Sequence, residues 1–317
     1  MNKFFNRPRG SLWLVLPLLL LLLGFSVDFD FSLTQGKTLF MFRLFRGLTA
    51  LVTGGALAVS GLIFQTVFRN PLADPYILGI SSGAAAGAAA VFVFFPPALL
   101  LFFVPAGAFA GALATLAFVL FISHCGKDSS DKLLLSGVVT GVIVSSLLIY
   151  LISVSDSQQL AGVTWWTLGD LQGSSGTAIA LLGSAGMVVL FLLRFYANEL
   201  NLLALGEETA AVRGVPVRRI RLLFVIAASL LAAGCVALAG IIGFAGLVVP
   251  HIVRLLAGSD LRKSALLTYP AGGCFLLLCD RTASALSDVR EMPVGVVSSC
   301  LGGGLFLFLL MRQKRGW

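Results

Sequence analysis

The sequence predicts an all-α protein that crosses a membrane about ten times, with both termini on the cytoplasmic side. Three observations carry that prediction. The 317 residues are 58% hydrophobic and only 11% charged, with a mean hydropathy of +1.00, whereas soluble domains carry about 25% charged residues. The apolar residues fall in runs close to the ~20 residues a helix needs to cross a bilayer. The basic residues behind the net charge of +8 lie in the gaps between those runs, not on one soluble face. That spread points to anionic lipid as the partner for the charge, and away from nucleic acid.

The first run, 12–27, follows Lys3, Arg7 and Arg9. This layout resembles a secretory signal, but LWLVLPLLLLLLGF is followed by Ser26, Val27 and Asp28 without a small-x-small cleavage site, so it reads as an uncleaved first span. Further runs lie at 47–67, 77–95, 100–122, 133–153 and 177–197. No charge interrupts Leu222 to Val253. One helix of that length would measure about 48 Å at 1.5 Å per residue, too long for a ~30 Å core. Gly240, Gly243 and Gly246 offer places to turn, dividing the stretch into spans 222–240 and 241–257. Runs 264–280 and 293–311 complete ten.

Charge supports the count. With the N-terminus inside, seventeen Lys and Arg fall on the inner side, against Lys37, Arg43, Arg46, Arg281 and Arg290 outside. The bias matches the positive-inside rule, and an odd number of crossings would spoil it at the C-terminus.

Within the spans, Gly83 and Gly87, Gly107 and Gly111, and Gly137 and Gly141 form GxxxG pairs, which let helix backbones approach closely. The five cysteines lie mostly in apolar runs without CxxC spacing and read as small hydrophobes. Two histidines are too few for an imidazole metal site. Gly36-Lys37-Thr38 is not a phosphate loop, because the glycine needed five positions earlier is Phe31 and the segment falls on the outer side.

The most distinctive polar segment is LGEETAAVRGVPVRRIR at 205–221. Gly206 can open a short helix, with Glu207 and Glu208 in its first turn and Arg213 in its last. Gly214 then suits the left-handed residue that closes it. A capped helix this short, wedged between spans, reads as an element built to be gripped by another protein. On the outer side, Arg43 and Arg46 share one helical face. Arg281 and Arg290 bracket the last outer link, among Asp280, Asp288 and Glu291. Such arginines either dock an acidic partner or snorkel to headgroups. RNPLADP at 69–75 enforces a non-helical inner link, and the lone His251 beside a helix end reads as structural.

Together, RLFRGLTALVTGGALAVSGLIFQTVFRNPLADPYILGISSGA (43–84), LLLSGVVTG (133–141), LGEETAAVRGV (205–215), GIIGFAGLVVPHIVRLLAGSDLRK (240–263) and EMPVGVVSSCLGG (291–303) resemble the permease family of ATP-driven importers for ferric siderophores, haem and vitamin B12. The segments run in the family's order and cover most of the chain. The resemblance implies a type II ABC importer permease: a single transmembrane domain over 1–317, with a cytoplasmic coupling-helix loop at 198–221. It implies a homodimer joined by two cytoplasmic ATPase subunits and a periplasmic substrate-binding protein, in the lipid of the cell inner membrane. No cofactor is then held by this chain; ATP and Mg are used by the partner ATPase.

By the same resemblance, Gly206, Glu207, Glu208, Thr209, Arg213 and Gly214 form the coupling helix. Arg43 and Arg46 match the outer arginines that dock the binding protein, and Arg281 stands one turn before Ser284, where the family often has another arginine. Ser136, Gly137, Thr140 and Gly141 on span five, with Ser298 and Ser299 on span ten, are expected along the translocation path. Ferric siderophore is the first cargo expected, with cobalamin and haem open. A secondary transporter would instead need mid-span carboxylates or histidines, which the predicted spans lack. An intramembrane enzyme would need a nucleophile–base or metal constellation, and none assembles.

Overall fold

The computed structural model describes residues 36–124, 130–172, 175–286 and 292–312, which are helices and short links with no strand among them. The predicted first span at 12–27, both termini, Asp288, Arg290 and Glu291 lie outside the described residues. The other nine predicted spans fall inside them. Five helices among the described residues are long and apolar enough to cross a membrane.

Helix α1 (Gly36–Val67) is the centre of the bundle. Its residues Ala56 to Ser60 and Leu62 to Phe64 are essentially inaccessible, so it is a core helix covered on all sides rather than an amphipathic one. Small residues admit its neighbours. A Cβ at Gly54 would strike the carbonyl of Gly272, and one at Gly61 would strike the backbone at Gly246. The polar outer turns carrying Arg43 and Arg46 belong to the same helix.

After α1, the link 68–79 is held by its own side chains. Asn70 and Asp74 each accept a backbone N–H two residues on, from Leu72 and Tyr76, both at 2.9 Å. Helix α2 (Ile80–Phe94) then pairs with α3 (Leu100–His124). Two of the predicted GxxxG pairs interlock at this seam, Gly83 facing Gly111 and Gly87 facing Gly107, because lipid offers no hydrophobic drive and backbones must approach to gain contact.

Helix α4 (Ser130–Ser153) leans one face on α2 and α3 and leaves Leu135, Val138, Val139, Val142, Ile143 and Leu147 exposed. A short outer helix follows, α5 (Ser157–Thr167), which the run-by-run reading passed over. Its start is a capping box: Asp156 accepts from the N–H of Gln158 and Gln159, and the Gln159 side chain accepts from the N–H of Asp156. Helix α6 (Gly176–Phe195) returns inward and joins α7 (Ala197–Leu205) through Tyr196 alone. Then come α8 (Glu207–Val212) and the outward helix α9 (Val217–Ala239).

The predicted eighth span, 241–257, is corrected. Residues 240–244 are non-helical, and only α10 (Ala245–Ala257) is a helix. Thirteen residues make about 20 Å, short of a bilayer core. Protein supports the non-helical stretch: the Tyr76 hydroxyl donates to the Ile242 carbonyl at 3.2 Å. In the first turn of α10, Gln65 donates to the carbonyls of Gly246 and Leu247 at 3.3 and 3.1 Å. Helices α11 (Leu261–Ala285) and α12 (Val294–Arg312) complete the bundle.

Candidate coupling and docking sites

At the end of the bundle assigned inside, α7 and α8 form a bent pair hinged at Gly206, whose φ of 138° disfavours a side chain. Helix α8 closes as a Schellman motif. Gly214, at φ 81°, donates to the Ala211 carbonyl at 2.9 Å, and Val215 donates to that of Ala210 at 3.0 Å. Ala210 and Val215 are the apolar pair that usually accompanies the motif, and both are buried.

The two glutamates of α8 face different ways. Glu208, Thr209 and Arg213 are exposed, and beside them Leu205 and Val212 show 71% and 90% of their surface. Glu207 turns inward. One of its oxygens accepts from the Ser130 hydroxyl at 2.6 Å and the other from the Arg221 guanidinium at 2.6 Å. The sequence places Glu207 in the coupling helix, and the structure ties α8 through it to the first turn of α4 and to α9. The partners Ser130 and Arg221 were missed, because 77 and 14 residues separate them from Glu207. Arg218 lies 3.0 Å from the His124 ring, linking α9 to the end of α3.

At the opposite end, Arg46 donates to Asp280 at 2.9 Å, both side chains largely buried. Arg46 is therefore a clamp between α1 and α11, while Arg43 one turn earlier and Arg281 beside Asp280 are half-buried. Near them lies a cavity of about 720 Å³, lined in part by Trp165, Trp166, Asp170, Arg46 and Met292.

The small residues of α4 do not face its open side. Ser136, Gly137 and Thr140 are buried and Gly141 is half-buried. A Cβ at Gly137 would lie 2.8 Å from the Leu78 Cα, and one at Gly141 would lie 3.4 Å from the Gly79 Cα. Their smallness serves close packing against the link into α2, and apolar Val138, Val139, Val142 and Ile143 occupy the uncovered face. On α12, Ser298 is buried and donates to the Gly295 carbonyl at 3.0 Å. Ser299 is half-buried against Gly243 of the non-helical stretch.

Among the described residues no cluster of His, Cys, Asp and Glu is arranged to hold a metal ion. In the inner link, burial pushes the Asp74 carboxyl up to about 6, against the opposing pull of the Tyr76 N–H.

Comparison with known proteins adds to this geometry. The FecCD transport family matches residues 13–312. The chain is 41% identical over 275 residues to the hemin transport system permease protein HmuU of Yersinia pestis, covering 86% of this chain and 82% of that one. It is 37% identical over 288 residues to the vitamin B12 import system permease protein BtuC of Yersinia enterocolitica, covering 90% and 84%. Among solved structures, an inward-facing metal-chelate-type ABC transporter superposes with a TM-score of 0.87 at 30% identity, covering 96% of this chain and 99% of that one.

Proposed function

The chain belongs to the FecCD transport family, and from that premise we propose a function for it in detail. It is a polytopic permease subunit of an ABC importer, a transport subunit and not an enzyme. In our reading two copies pair in the inner membrane, two cytoplasmic ATPase subunits grip α7 and α8, and a binding protein delivers cargo to the outer end. The cargo is a ferric siderophore. Relatives named for hemin and vitamin B12 and a metal-chelate-type structural neighbour favour a bulky chelate over a bare ion. Haem is the second reading, favoured by the 41% identity to the hemin permease.

The observation that carries this function is the division of labour on α8. An exposed crown of Leu205, Glu208, Thr209, Val212, Arg213 and Gly214 faces a partner. Glu207 holds the same helix to α4 and α9 through two 2.6 Å hydrogen bonds. A push on the crown then reaches two spans at once. The uncovered apolar face of α4, with α12, lines the path in the proposed dimer, and a path with few charged groups suits alternating access driven by ATP rather than ion coupling.

The cargo is tested by uptake in a strain deleted for this permease and complemented with it. Ferric-siderophore uptake restored well above that of haem and cobalamin is expected. Restoration of haem uptake alone would replace the siderophore reading.

A further inference from the structure

A second cavity, of about 220 Å³, opens beside the coupling element. Its lining comes from the end of α1 (Gln65, Thr66), the inner link (Arg69, Pro71), the end of α7 (Ala204), the last turn of α10 (Arg254), and Ser259 and Leu261 at the entry to α11. Two of these residues are cations, and none is acidic.

The polar groups are specific. Gln65 is 3% exposed. Its amide orientation is fixed, because its nitrogen faces the carbonyls of Gly246 and Leu247, which can only accept. The opposite atom, Oε1, is therefore an acceptor, and it is buried without a donor among the described residues. Nη2 of Arg254 is likewise buried without an acceptor among them. Unpaired buried polar atoms are costly, and these two ask for opposite things. The guanidinium needs an oxyanion, and the Gln65 carbonyl needs an O–H or N–H donor. Arg69 adds a second guanidinium at the rim. Its Nη1 would lie 3.9 Å from a Cβ built on Gly206, the hinge between α7 and α8.

We propose that this inner cavity binds a phosphate group that carries, or lies beside, a hydroxyl, with Arg254 and Arg69 on the anionic oxygens and Gln65 Oε1 accepting the hydroxyl proton. Hydrogen phosphate meets both demands, as does the headgroup of phosphatidylglycerol, whose second glycerol carries free hydroxyls next to the phosphate. A partner's carboxylate meets only the first, since it has no proton to offer Gln65. The occupied cavity would brace the end of α1 and the α10–α11 turn against the coupling hinge.

The test uses the purified full-length protein. In detergent, inorganic phosphate is titrated against chloride at equal ionic strength while the unfolding temperature is followed. In nanodiscs, native mass spectrometry counts phosphatidylglycerol retained against phosphatidylcholine. Arg254→Gln and Arg69→Gln are compared with Arg219→Gln, which removes an exposed charge outside the cavity; Arg69 is itself exposed, so its variant is expected to fold. Saturable stabilisation by phosphate, or retention of one phosphatidylglycerol, supports the proposal if either pocket variant weakens it about ten-fold and Arg219→Gln does not. Phosphatidylglycerol displacing phosphate would identify the lipid as the source; phosphate binding unaffected by it would identify the free anion. No preference for phosphate or phosphatidylglycerol overturns the proposal, and so does equal weakening by Arg219→Gln. None of these readouts needs the ATPase or the cargo, so they stand or fall apart from the transport reading.

Discussion

Glu207 and Arg221 meet at 2.6 Å, and the carboxylate's other oxygen takes the Ser130 hydroxyl at the same distance. Arg221 is 5% exposed, so a helix of six residues is fastened to a buried cation of α9. Glu207→Ala removes the acceptor of a charged, largely buried donor and is expected to cost about 2 kcal/mol. Glu208→Ala, on the exposed side, is expected to leave stability unchanged. Unfolding of the two purified variants in mild denaturant separates them; equal stability would show that Glu207 is no tie.

Gly214 sits at φ 81° and closes α8. With nothing within 4 Å of an added Cβ, Gly214→Ala probes backbone strain alone. A loss of about 1 kcal/mol is expected, and amide exchange through α8 should quicken while α9 stays protected.

The α2–α3 seam has no room for side chains where Gly87 meets Gly107. Gly87→Leu should force the helices apart at a cost of about 3 kcal/mol or prevent assembly. Gly304, with nothing near its Cβ position, should accept Ala. Thermal unfolding of both variants checks the contrast.

Asp74 binds its proton more tightly folded than unfolded, because its carboxyl is raised to about 6. The sign follows from linkage: its contribution favours the fold at low pH and is lost as pH rises from about 4 through 6. Asp74→Asn keeps an oxygen to accept the Tyr76 N–H. The variant should therefore unfold at a temperature that changes less than the parent's between pH 4 and 6.

Arg46 and Asp280 are 234 residues apart yet bonded at 2.9 Å. Asp280→Ala should lower stability by about 2 kcal/mol. On the docking reading, Arg43→Ala should weaken capture of the binding protein by immobilised permease.

How far the sequence could be read follows from these cases. Apolar length and the placement of Lys and Arg located an apolar helix in each of the nine described runs, five of them long enough to cross a membrane, because both signals are local consequences of a thin hydrocarbon layer. Gly214 was legible as a helix stop, since only its own φ is involved. The break at 240–244 was legible only as a place to turn. Non-helical and helical stretches share the same apolar composition there, and the supporting Tyr76 comes from elsewhere in the chain. Composition likewise could not tell Glu207 from Glu208, because which one turns inward depends on a buried Arg221. The small residues of α4 pack against the link into α2, and composition cannot distinguish that from a path lining, since smallness suits both.

Our proposal is that ATP drives import through a permease gripped at α8. The most direct measurement is cargo uptake into proteoliposomes holding this subunit with its cognate ATPase and binding protein, comparing the parent with Glu208→Ala/Arg213→Ala. Uptake is expected to require ATP and to be lost in the double variant, while the purified double variant remains as stable as the parent. Uptake that proceeds without the ATPase subunit, driven by an ion gradient alone, would contradict it.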